Sequence, residues 1–236
     1  SDLEGAGEPT PERWHALLNL HIVTRSSGAL DESVEWLRRA EDAAAQTDPE
    51  AAEPFLQNAW AQLLMARGRF AEAEERFQQA WNVANGARAR STVRLNLAEA
   101  LLAQGRSLEA AEHAREAERD AIRTGAVPKL PEVYRLLGRI ADADGSVDAF
   151  VLFERALEII RNRDLPALEE ALTLRAYADV EARRGDPGAA HKLRERARER
   201  FAAIGMAHER QSWVDVYAGP AGDEGPTSTE GTGHVR

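Results

Sequence analysis

A recurring glycine constrains this chain more than any other feature. Gly28, Gly68, Gly105, Gly145 and Gly185 follow one another at intervals of 40, 37, 40 and 40 residues. Other columns keep the same period. Seven positions before the glycine stands a small residue, Ala61, Ala98, Gly138 and Ala178, with His21 as the exception. Small residues also recur after it, at Ser33, Ala73, Ala110, Ala149 and Ala190, and again at Ala40, Ala80, Ala117, Ala156 and Ala197. Self-similarity at such a period marks a stacked helical array. Each copy reads as a helix hairpin. Glycine ends the first helix, because the left-handed conformation costs it nothing. Small residues stand where helices cross closely. Bulky residues fill the space between: Leu20, Trp60, Leu97, Leu137 and Tyr177 form one layer. Leu37, Phe77 and Phe153 form another, interrupted by Ala114 and Arg194. No single hairpin of this size buries its apolar stripe alone, so the copies must stack.

These columns resemble the tetratricopeptide repeat family. The second copy reads Gln57, Trp60-Ala61, Leu64, Gly68, Ala73, Phe77, Ala80. The third reads Asn96-Leu97-Ala98, Leu101, Gly105, Ala110, Ala117. The resemblance covers roughly residues 14 to 204, and it departs from the family in its period, since the family standard is ~34 residues. The extra residues predict longer helices. The resemblance implies an all-α, right-handed superhelical solenoid of about five hairpins, with a capping helix at its C-terminal end. It also implies protein or peptide binding rather than catalysis. The long period is similar to that of the regulatory arms of bacterial transcription and signalling regulators.

The expected organisation is a flexible segment over 1–12, five repeats over 13–205, a capping helix over 206–217 and a disordered tail over 218–236. The first segment holds prolines, glycines and acids before any apolar periodicity, and the tail likewise has almost no apolar residue. Trp213 and Val216 are expected to cover the open end of the stack. Asp31 reads as an N-cap, as does Asp48 before Pro49, while Pro54 is expected to delay that helix. Gly125 with Pro128 and Pro131 marks the clearest break between repeats. The fourth repeat is one residue short between Gly145 and Ala149, so its turn should differ.

Catalytic patterns are absent from the sequence. It has no G-x-x-x-x-G-K-[ST], no G-x-G-x-x-G and no H-E-x-x-H. The six histidines do not pair at helical metal-site spacing, and no cofactor is called for. Asp142 to Asp148 resembles the start of a calcium loop, but glycine stands at the fourth position instead of the sixth. There are no cysteines, which fits a reducing cytosol and a cytoplasmic location. No apolar run approaches ~18 residues, so no membrane span is expected. A net charge of −10 argues against nucleic-acid binding by this segment. The run from Arg194 to Arg200 reads as a solvated face with pairs along the helix. The tryptophans are expected in the core, Trp60 in its column and Trp14, Trp36 and Trp81 between neighbouring helices.

In such solenoids the first helix of each pair lines the concave surface. The family phase places Asn19, Asn58, Gln62, Asn96, Glu99, Arg135, Arg139, Arg175 and Asp179 there. Asparagine and glutamine offer both donor and acceptor to a peptide backbone. Arg135, Arg139 and Arg175 read as a cationic section suited to carboxylates or phosphates. The family's lysine-based clamp on a C-terminal carboxylate lacks its lysines, since Lys129 falls in a linker and Lys192 on an outer helix. A second reading is self-association, with the array as the oligomerisation arm of a larger protein and its ends or convex face making the contact.

Overall fold

The computed structural model describes residues 11–205. Among them, ten α-helices succeed one another in five antiparallel hairpins. They are α1 (Pro11–Ser26) with α2 (Leu30–Ala45), α3 (Pro49–Ala66) with α4 (Phe70–Val83), and α5 (Ala87–Ala103) with α6 (Ser107–Thr124). After a 3₁₀ turn at Val127–Lys129 come α7 (Leu130–Ala143) with α8 (Asp148–Asn162), and α9 (Ala167–Arg183) with α10 (Pro187–Ala203). No strand occurs among the described residues. This is an all-α helical repeat solenoid. The five period glycines all sit at the hairpin turns with φ between 70° and 88°, a conformation that a side chain would strain.

The small-residue columns are the helix crossings. Ala61, Ala98 and Ala178 are fully buried, as are Ala73, Ala110, Ala149 and Ala190 and the whole Ala40-to-Ala197 column. Leu37, Phe77 and Phe153 fill the layer beneath, each with 1 % exposure or less. The core runs from Trp14 to Phe201 in three successive clusters. Trp14 belongs to it, whereas Trp36, Trp60 and Trp81 are only half-buried. Their rings serve as lids with polar edges: Trp60 Nε1 donates to Glu41 at 2.6 Å, and the Arg94 guanidinium lies 4.5 Å over Trp81.

Several boundaries differ from the reading of the sequence. Asp31 lies inside α2 and caps nothing; its carboxylate accepts from Arg67 of the next hairpin at 2.8 Å. Asp48 does cap α3, accepting from Ala51 N at 3.1 Å. Pro54 does not delay α3, which runs from Pro49 straight through it; the cost is one ladder bond close to the helix start. The α7–α8 turn differs as expected. Val147 before α8 is helical (ψ −15°), whereas Ala29, Arg69 and Arg106 before α2, α4 and α6 have ψ of 60–64°. The acids of the calcium-like stretch serve inter-repeat packing: Asp142 accepts from Arg183 and Arg184, and Asp144 from Ser107. The arginines of α10 reach mainly across to α9. Arg194 meets Asp179 and Arg200 meets Glu170, in place of a purely intrahelical pairing. The expected cap at Trp213 and Val216 and the expected tail over 218–236 lie outside the described residues, as does the expected flexible segment except Pro11 and Glu12, which begin α1.

Candidate functional site: the inner helix layer

The odd-numbered helices touch one another along the array, α1 to α3 to α5 to α7 to α9. Each even-numbered helix lies against its own partner and, from α2 to α8, against the next odd helix. The odd helices therefore form one continuous inner layer.

Across that layer each neighbouring pair is joined by a side-chain bridge. Arg25 donates to Gln62 Oε1 at 2.9 Å, linking α1 to α3. Asn96 Nδ2 donates to Asn58 Oδ1 at 2.8 Å, linking α5 to α3. Arg139 donates to Glu99 at 2.9 Å, linking α7 to α5. Arg135 donates to Glu169 at 3.0 Å and to Thr173 Oγ1 at 3.2 Å, linking α7 to α9. The partners are separated by 34 to 40 residues, so each repeat presents the same helix face to the next.

Six of the nine residues assigned to the groove from sequence, Asn58, Gln62, Asn96, Glu99, Arg135 and Arg139, belong to this ladder. The others do not. Asn19 is exposed on α1. Asp179 accepts from Arg194 of its own hairpin at 3.3 Å. Arg175 is buried at 9 % exposure, with its guanidinium 5.5 Å over the Phe201 ring. The expected cationic section is therefore not an open positive patch. Arg135 and Arg139, only 16 % and 13 % exposed at their side chains, face Glu169 and Glu99. Helix phase does not single out Arg25, Glu169 and Thr173, which complete the ladder. Their one signal in the sequence is a polar residue standing about one period from an assigned partner.

The layer is uneven along its length. Its C-terminal half is ionic. In the N-terminal half Ile22 and Phe55 stand 45 % and 48 % exposed. Ile22 is one turn before Arg25, and Phe55 one turn before Asn58, so both share the face of the ladder residues. The Phe55 ring lies 5.7 Å from that of buried Trp14, a tilted contact that holds it in place.

No protein-family model matches the chain, and no curated protein matches it. Solved structures do. One is a point variant of a Podosopora anserina protein described as a kinesin light chain with nearly identical TPR-like repeats. It is 23 % identical with a TM-score of 0.57, over 83 % of this chain and 97 % of that one. Its counterpart without that substitution aligns with a TM-score of 0.56. BtubC (BKLC) from P. vanneervenii is 23 % identical with a TM-score of 0.58, over 84 % of this chain and 85 % of that one. The chain has the TPR-like repeat fold. Identity at this level speaks to fold and not to partner.

Proposed function

We propose that the chain is a non-catalytic scaffold that binds a protein or peptide segment in the groove of the inner helix layer. The observation that carries this reading is the pairing of exposed Ile22 and Phe55 with a polar ladder on the same face. Apolar side chains of the ligand dock at the N-terminal half, where burial supplies affinity. The Asn58–Asn96 pair retains donor and acceptor capacity to fix the register of a peptide backbone. The repeat period favours a role in bacterial cytosolic signalling or transcriptional control, by its likeness to the long repeats of such regulators.

The test is affinity capture with the full chain beside an Ile22→Ser/Phe55→Ser variant. Both residues are half exposed, so the variant keeps the core and the ladder. A ligand held by the parent should be lost or weakened at least tenfold in the variant, the usual scale for truncating an interface anchor. Equal capture by a variant with an unchanged circular dichroism spectrum would remove the groove as the site.

Self-association has its own observation. Leu108, Val147 and Val151 are 77 %, 73 % and 66 % exposed. The Ser107–Asp144 hydrogen bond brings the start of α6 beside the α7–α8 turn, so these side chains occupy one edge of the array. If that edge pairs two copies, Leu108→Glu should convert a concentration-dependent sedimentation profile into that of a monomer. A parent that stays monomeric at high concentration would discard this reading.

A further inference from the structure

Beyond the groove, the first hairpin carries a second feature at the end opposite its turn. A cavity of about 140 Å³ opens between the start of α1 and the end of α2. Arg13 and Leu17 line it from α1; Arg39, Asp42, Ala43 and Gln46 line it from α2. The α2 residues recur at intervals of three and four, so they form one helix face. Leu17 and Ala43 make a dry floor, at 2 % and 7 % exposure.

The two guanidinium groups are unusual in this protein. The other half-buried arginines each donate to an oxygen: Arg76 to Gln57, Arg94 to Asp120, Arg184 to Asp142, and the rest likewise. Arg13 and Arg39 are half-buried, and among the described residues neither donates a hydrogen bond or joins an ion pair. Arg39 is held by its face, 4.6 Å over the Trp36 ring, which leaves the edges of its planar fork open. A positioned fork with open edges, as Arg39 presents, is what carboxylate recognition requires.

We infer that this cleft binds one carboxylate side chain, of glutamate or aspartate type, from an acidic partner peptide. Charge selects the occupant. Two arginines and Asp42 leave the cleft one positive charge, which a single carboxylate neutralises. A phosphate dianion would leave excess negative charge beside Asp42, where one carboxylate leaves none. Size agrees, because a cavity of about 150 Å³ accepts a benzene-sized group, and the side chain of glutamate is no larger. The Gln46 amide offers a further donor.

The test uses the full chain, following the Arg13 and Arg39 Nε–H resonances by NMR during titration. The probes are N-acetyl-glutamic acid α-amide, its neutral glutamine counterpart, and inorganic phosphate. The glutamate probe should give saturable shifts of both resonances, and the glutamine probe none. Arg39→Gln should weaken the glutamate probe about tenfold, as for loss of a charge-assisted hydrogen bond, with the amide spectrum otherwise retained. Asp42→Asn should strengthen phosphate relative to the glutamate probe. The Ile22→Ser/Phe55→Ser variant should bind the glutamate probe as the parent does, which separates this cleft from the groove. No saturable shift, equal shifts from glutamate and glutamine probes, or tighter binding of phosphate by the parent chain would each overturn the assignment.

Discussion

Replacing Phe153 by alanine is expected to cost about 3–5 kcal/mol, the range for emptying a fully buried aromatic site. Phe153 has no exposure and stacks on Tyr177, with centroids 5.1 Å apart and rings 8° from parallel. It therefore joins α8 to α9 as well as to α7. Its position explains the glycine of the crossing column. A Cβ added at Gly138 would lie 2.9 Å from Phe153 Cε2, closer than packed carbon atoms allow. In hairpin two the same columns hold Ala61 and Phe77 together. Hairpin four has the shortened turn, and there only glycine fits beneath the ring. Gly138→Ala should accordingly cost less than Phe153→Ala, since about 1 kcal/mol of helix propensity offsets about 1–3 kcal/mol of overpacking. Because each repeat contacts only its neighbours, the loss at Phe153 should be regional. Hydrogen exchange should accelerate in α7 to α10 and stay unchanged in α1 to α4. A cost under about 1 kcal/mol in chemical denaturation, typical of a surface change, or uniform loss of protection would contradict this account.

The fold was legible because the repeat imposes one physical problem five times. At four of the five hairpin crossings both columns hold only alanine or glycine, and at every hairpin turn φ is positive. Both demands write themselves into sequence as columns. The polar residues of the inner helices are legible only as a phase, which assigns Asn58, Gln62, Asn96, Glu99, Arg135 and Arg139 to one face. That they bond one another from repeat to repeat was not legible as a pattern of residue type. The bridges change chemistry along the array, from Arg–Gln to Asn–Asn to Arg–Glu, and share only their separation. Arg175 follows the same phase, but Phe201 of α10 reaches back over its guanidinium and it is buried. The Arg13–Arg39 cleft had no sequence signature at all. Its halves come from opposite ends of an antiparallel pair, and unpaired arginines look like paired ones until acceptors are located.

Acid should weaken the first hairpin through His21, the residue that breaks the small-residue column. His21 is fully buried, and so is Ser33 in the facing column, where every other repeat has alanine. The two form a buried polar pair. His21 Nδ1 lies 3.2 Å from the Ser33 carbonyl, which only accepts, so Nδ1 carries the proton of the neutral ring. Ser33 Oγ in turn lies 3.2 Å from the His21 carbonyl and donates to it. Nε2 finds no hydrogen-bond partner among the described residues, so a second proton would sit unpaired in the core. Burial, opposed by the Ser33 hydrogen bond and aided by the Arg25 charge, holds the imidazole pKa down to about 4. In the unfolded chain it is about 6.5. Between those values the unfolded state binds a proton that the folded state excludes, so stability falls as pH drops from about 6.5 and levels off below about 4. At about 1.36 kcal/mol per unit, the window holds roughly 3 kcal/mol. Carboxylates titrate there too, so the decisive quantity is a difference. In His21→Ala/Ser33→Ala, which installs the alanine pair of hairpins two, three and five, this contribution disappears. The stability of the parent relative to the double variant should drop by roughly 3 kcal/mol from about pH 7 to about pH 4, with faster hydrogen exchange in α1 and α2 of the parent alone. A difference that does not change with pH would mean that the buried histidine gains its proton without disturbing the crossing.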